Sequence, residues 1–84
     1  MTDYTTATTT DEIIDAIEEI AAELGARAGQ WDLELAAADL LDAIEGRTTH
    51  PDAREAHEAL TMYAEGGEAL IAGRDVTRTL DAWA

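Results

Sequence analysis

Apolar residues recur along the first third of the chain at the period of an α-helix. Four of them are separated by four, three and four positions and therefore lie on one side of a helix: Ile13, Ile17, Ile20 and Leu24. Thr9 and Glu12 precede this stripe at the spacing of a capping box, in which the threonine hydroxyl accepts a backbone N–H and the glutamate reaches back. Gly25 or Gly29 provides the stop signal. The pattern predicts a first helix over residues 10–24.

The same spacing returns in the next segment and predicts a second helix over residues 31–45. Gly46 follows at the position where a left-handed residue commonly ends a helix. The inward residues of this helix are expected to be Leu33, Ala37, Leu40 and Ile44.

The second half of the chain predicts either one more long helix or two shorter ones. Pro51 favours a helix start, because proline in the first turn loses no backbone N–H that the helix needs. Residues 66 and 67 are both glycine, which favours a helix over 51–65, yet the apolar spacing runs on and also allows a helix over 51–72. A final helix is predicted over 75–83, with an apolar stripe formed by Val76, Leu80 and Trp83.

These elements predict an all-α fold, a small bundle of three or four helices with short connections. Residues 10–84 are expected to form a single acidic helical domain. Residues 1–9 are rich in threonine and have no apolar alternation, so we expect a flexible, disordered tail there.

The composition excludes several classes of partner. The chain has 19 acidic and five basic residues in 84, a net charge of −14, which disfavours direct binding to nucleic acid or to an anionic membrane. Only 15 residues are Ile, Leu or Val, so the core is thin and a homodimer would help to stabilise it. No apolar run approaches the roughly 18 residues of a membrane span, and no signal-peptide pattern is present, so a cytoplasmic location is expected.

The acidic charge is concentrated in the first half of the chain. Residues 11–46 contain eleven acids and one arginine, a net charge of −10, whereas residues 47–84 have a net charge of −3. Side by side, the first two helices would present about one carboxylate per 1.9 Å of axis, close to the one phosphate per about 1.7 Å of duplex DNA. The density suggests docking on a basic surface or imitation of DNA, but salt adaptation would also produce it, because lysine is absent as well.

The second predicted helix has two large apolar residues opposite its core stripe. On a helical wheel, Trp31 and Leu35 fall among acidic residues such as Asp39 and Asp42. Such an apolar centre with a polar rim is typical of binding surfaces. Two alternatives remain open: this helix is buried on both sides within the monomer, or Trp31 and Leu35 contact another molecule. Met62 on the third helix is a weaker case of the same kind.

The residue types that carry common catalytic chemistry are scarce. The chain contains no cysteine and no serine, and its two histidines, His50 and His57, are too far apart on a helix to share one metal ion. The spacing of the glycines matches no phosphate-binding loop. We therefore expect no enzyme activity, no cofactor and no metal site.

The sequence favours a small non-enzymatic acidic protein that binds another protein with a basic surface, as a phage-type inhibitor or adaptor would. The residues expected to make this contact are Trp31, Leu35, Asp39 and Asp42, with Asp15, Glu18 and Glu19 steering the partner electrostatically. The alternative is a self-associating structural module whose acidity reflects salt adaptation.

Overall fold

Within the part of the chain that the structure describes, four α-helices pack against one another as a small bundle. The computed structural model describes residues 3–48, 50–66 and 69–84. The helices are α1 (Thr10–Leu24), α2 (Leu33–Ile44), α3 (Pro51–Ala64) and α4 (Ala69–Leu80). Single 3₁₀ turns cover Tyr4–Thr6, Ala28–Gln30 and Asp81–Trp83. No strand occurs in the described ranges, which confirms the all-α prediction.

Helix α1 has the predicted bounds because both of its ends are capped. The Thr9 hydroxyl accepts the Glu12 N–H at 3.2 Å, as in a capping box. The Glu12 carboxylate in turn accepts hydrogen bonds from the Thr8 hydroxyl at 2.9 Å and the Thr9 hydroxyl at 3.2 Å. These hydrogen bonds, led by that from the Thr8 side chain, lower the pKa of Glu12. Gly25 ends the helix with a φ of 72°, where glycine has no steric penalty.

The other helices depart from their predicted bounds by a few residues. Helix α2 begins two residues late because Asp32 is its N-cap and accepts the Leu35 N–H at 3.2 Å. Of the two alternatives for α3, the shorter is confirmed: the helix ends at Ala64, and Gly66 has a φ of 81°. Gly67 lies outside the described residues. Helix α4 begins at Ala69, earlier than the predicted 75–83.

The core lies where the four helices meet, and small side chains line much of it. The largest fully buried side chains are Ile13, Ile17, Leu40, Leu60, Val76 and Leu80. Alanines fill the remaining interior positions of α2 and α3, among them Ala36, Ala37, Ala53 and Ala56. A helix with alanine on its inner side lets its neighbour approach closely, so a thin core still packs. Across the described residues, no helix is long and apolar enough to cross a membrane.

The predicted N-terminal tail is too long. Residues 1 and 2 lie outside the described residues, but Tyr4 is 2% exposed and Ala7 is also buried in the core. The Tyr4 hydroxyl and the His57 Nδ1 of α3 form a hydrogen bond of 2.7 Å. The packed domain therefore begins by Tyr4 and not at residue 10, since an aromatic ring fixes this segment against α1 and α3.

Candidate functional site

Trp31 is not a surface anchor, which corrects the predicted binding site. It is 4% exposed, and its indole Nε1–H donates to Asp81 at 2.9 Å. The wheel placement was wrong because Trp31 precedes the N-cap Asp32 and has an extended backbone, with φ −109° and ψ 152°. A residue outside the helix does not follow the helical period, so its ring turns inward.

Asp39 is also engaged within the fold. The indole Nε1–H of Trp83 donates to its carboxylate at 2.9 Å, and Asp39 is half-buried. The backbone carbonyl of Trp83 accepts the Asp32 N–H, which holds the C-terminal turn along α2. Asp39 therefore anchors the chain's own C-terminal segment. No sequence pattern indicates this contact, because it joins residues 44 positions apart.

The remaining predicted residues of α2 are accessible. Leu35 is 53% exposed, as its place opposite the core stripe predicts. Asp42 is exposed and forms an ion pair with Arg47, with 3.4 Å between nitrogen and oxygen. A pair this exposed contributes little to stability and is easily exchanged for another partner.

The outer side of α1 is a row of carboxylates, which we call the acidic face: Asp11, Asp15, Glu18, Glu19 and Glu23. The predicted steering residues Asp15 and Glu18 are exposed, and Glu19 is half-buried. Among the described residues, no ion pair joins this face to an arginine, because the ion pairs of the protein involve Arg47 and Arg78. In the described ranges, the like charges of the face are therefore not neutralised by an arginine.

A cleft of about 340 Å³ opens at one end of the acidic face, and we call it the tyrosine cleft. It is lined by Asp3, Tyr4, Glu19, Ile20, Glu23, Tyr63 and Ala64. The Tyr63 hydroxyl donates to Glu23 Oε2 at 3.2 Å. Burial, followed by the charge of Glu23, raises the pKa of Tyr63, and burial raises the pKa of Tyr4. Both phenols therefore stay neutral at physiological pH, and the carboxylates supply the charge of the cleft.

The sequence did not reveal the tyrosine cleft. Tyr4 falls within the predicted tail, and no periodic pattern links it to Tyr63. The aromatic residue within an otherwise polar threonine-rich segment is the one signal that could have indicated docking of the N terminus.

The two histidines lie apart from one another. His57 is half-buried beside Tyr4, and the His50 ring stacks on Trp83 with 6.1 Å between ring centroids. Within the described part of the chain, no group of three side chains is placed to hold a metal ion.

Helices α3 and α4 carry a different kind of surface. Arg78 contacts Glu55 across the two helices at 3.5 Å and Asp75 on its own helix at 3.6 Å. Met62 and Ile71 are 54% and 55% exposed. Exposed apolar side chains and exposed arginines therefore occur together on this side of the protein.

Comparison with known proteins assigns no relationship: no family model, no curated protein and no solved structure matches this chain.

Proposed function

We propose that this protein is a small non-enzymatic helical protein that binds another protein through the acidic face, against a basic surface of the partner. The observation that carries the proposal is the lack of an arginine partner for these carboxylates among the described residues, although the chain has five arginines. Uncompensated like charges three or four residues apart destabilise a helix. A basic partner would remove this repulsion and be attracted to the face over long range.

The tyrosine cleft supports a basic side chain as the specific contact. Ile20 and Ala64 offer apolar surface to the methylene stem of an arginine or lysine, and Glu19 and Glu23 offer carboxylates to its charged head. The half-buried ring of Tyr63 adds cation–π attraction. Leu35 would provide a separate apolar contact on α2, next to the exposed acids of that helix.

The test compares two variants that remove the same charge from different places. In the α1 variant, Asp15→Asn, Glu18→Gln and Glu19→Gln are combined. The matched control, which we call the α3 control, combines Asp52→Asn and Glu65→Gln at the two ends of α3 with Asp81→Asn, all at exposed positions. Both change the net charge from −14 to −11. Each protein is immobilised and used to capture binding proteins from the native host, with quantification by mass spectrometry.

The proposal predicts a captured protein with a basic surface that the wild type and the α3 control retain and that the α1 variant loses at least tenfold. Equal loss by both variants would mean that only bulk charge matters, and equal retention would mean that the acidic face is not used. Either result overturns the proposal. Competition by duplex DNA for the captured protein would then decide whether the face imitates DNA, as the charge spacing suggests.

The alternative, a structural module with salt-adapted acidity, predicts that folding itself depends on salt. Such a protein would unfold in dilute buffer and recover in molar salt, and it would retain no host protein through α1. Circular dichroism at two salt concentrations measures this directly.

A further inference from the structure

The contact between Glu55 and Arg78 fixes how α3 and α4 lie against each other. Glu55 is near the start of α3 and Arg78 is near the end of α4, so the two helices are antiparallel. Met62 lies seven residues after Glu55, and Ile71 lies seven residues before Arg78. Seven residues are two helical turns, about 10.5 Å along each axis. Met62 and Ile71 therefore lie side by side on the surface that bears the ion pair.

The exposed residues of this surface form two parallel columns, and we call the surface the hairpin face. The column on α3 is Glu55, Glu58 and Met62, and the column on α4 is Arg78, Arg74 and Ile71. Both columns have spacings of three and four, so each follows one side of its helix. All six residues are exposed. One helix thus contributes the acids and the other contributes the bases, with an apolar residue at the same end of each.

We propose that the hairpin face binds a second copy of this chain about a two-fold axis that runs parallel to α3 and α4. Rotation about such an axis places α3 of one protomer over α4 of its partner. Each glutamate column then faces an arginine column, and the Met62 and Ile71 pairs of the two protomers meet. A two-fold axis across the helices would place glutamates over glutamates, so charge complementarity selects the parallel axis.

The distribution of charge also favours a second copy at this face over one at the acidic face. Residues 47–84 have a net charge of −3, against −10 for residues 11–46. Pairing through α3 and α4 uses no residue of the acidic face. The dimer would carry two acidic faces, which would make it bivalent toward a basic partner.

The size of the hairpin face predicts weak association. Two helices of about 20 Å length and about 10 Å width cover about 400 Å². Standard interfaces bury about 800 Å² per partner, so the dimer belongs to the weak class. Because two chains of charge −14 repel, added salt should strengthen the dimer.

Analytical ultracentrifugation over a loading range of about 10 µM to about 1 mM tests the proposal. The average mass of the wild type should rise from 9.0 kDa toward twice that value. Ile71→Asp should raise the dissociation constant at least tenfold. Leu35→Asp, an equally exposed apolar-to-acid change on α2, should leave it unchanged.

A pair of charge variants makes the test independent of folding defects. Glu55→Arg with Glu58→Arg gives one protein, and Arg74→Glu with Arg78→Glu gives the other. Each should be monomeric alone because like charges then face each other across the two-fold axis. Their mixture should form a heterodimer, because both column contacts become complementary again.

Three results would overturn the proposal. They are a wild type that stays at 9.0 kDa at the highest loading, a dimer that Leu35→Asp dissociates, and charge variants whose mixture remains monomeric. Masses beyond a dimer would also overturn it, because they indicate an open, head-to-tail contact instead of a closed two-fold one. The proposed binding of a basic partner would survive each of these results.

Discussion

The acidic face of α1 and the hairpin face of α3 and α4 differ in how their charges are neutralised. Both are exposed helix surfaces rich in charge. On the hairpin face, Arg78 pairs with Glu55, and the apolar residues Met62 and Ile71 lie on the same face. On the acidic face, Asp15 has like-charged neighbours three or four residues away at Asp11, Glu12, Glu18 and Glu19.

This difference separates a surface that can pair with a copy of itself from one that can pair only with a surface of opposite charge. A surface with both charge signs can pair with a copy of itself, whereas a surface with one sign cannot. The position of five arginines among 84 residues therefore says more about the two faces than the total charge does.

The largest expected effect on stability comes from removing the side chain of Trp83, which contacts both α2 and the start of α3. Trp83 is buried, donates to Asp39 on α2 and stacks on His50 at the start of α3. Trp83→Ala should lower the free energy of unfolding by about 3–5 kcal/mol, because a large buried aromatic side chain is removed. Urea unfolding measures the change, and both faces should lose their binding together.

Asp39→Asn is the matched control for the indole hydrogen bond. The amide oxygen of asparagine can still accept the Trp83 N–H, so the loss should stay well below that of Trp83→Ala. If Trp83→Ala lowered the free energy of unfolding no more than this control does, the C-terminal turn would not hold α2 and α3 together.

A smaller effect of opposite sign is expected from neutralising the acidic face. The combined Asp15→Asn, Glu18→Gln and Glu19→Gln variant should be about 1–2 kcal/mol more stable than the wild type at low ionic strength, because several like-charge pairs disappear. The α3 control, with Asp52→Asn, Glu65→Gln and Asp81→Asn, should show little gain. Urea unfolding at about 0.05 M and about 1 M salt measures both variants, and the difference should shrink in high salt.

Two outcomes would remove the contrast between the faces. Equal stabilisation by both triple variants would indicate a general excess of charge. If the α1 variant were no more stable than the wild type, repulsion among the carboxylates of α1 would not destabilise the fold. In either case the stability argument for an outside partner would fail.

The smallest expected effect on stability comes from removing the ion pairs of Arg78. Arg78→Gln should change the free energy of unfolding by about 0.5 kcal/mol or less, because ion pairs this exposed are worth little. Thermal unfolding of the monomer at low loading checks this. A loss of 2 kcal/mol or more, beyond the roughly 1 kcal/mol ceiling of exposed pairs, would show that Arg78 is structural and not available to a second copy.

Sequence patterns predicted those parts of the fold that depend on local signals. Helix α1 matches residue for residue because Thr9 caps its start and Gly25 its end. The exposure of Leu35 followed from its place on α2. Sequence patterns do not decide whether α3 ends at the two glycines, because tertiary packing can offset the free-energy cost of two glycines within a helix.

The errors arose where distant parts of the chain meet. Tyr4 packs against α3, and Trp83 returns over α2, and neither contact leaves a periodic trace in the sequence. The prediction that Trp31 lies on the surface was wrong for a local reason, because the helical wheel included a residue that precedes the N-cap Asp32. The predicted binding set therefore keeps Leu35 and the exposed acids and loses its aromatic anchor.

The central claim is that the acidic face of α1 binds a basic partner through its position and not through total charge. The most direct test is the dissociation constant of the captured partner for the wild type, the α1 variant and the α3 control at about 0.05 M and about 0.5 M ionic strength. We predict at least tenfold weaker binding by the α1 variant at low salt, near wild-type binding by the α3 control, and convergence of all three at high salt. Equal affinities of the two triple variants at low salt would contradict the claim.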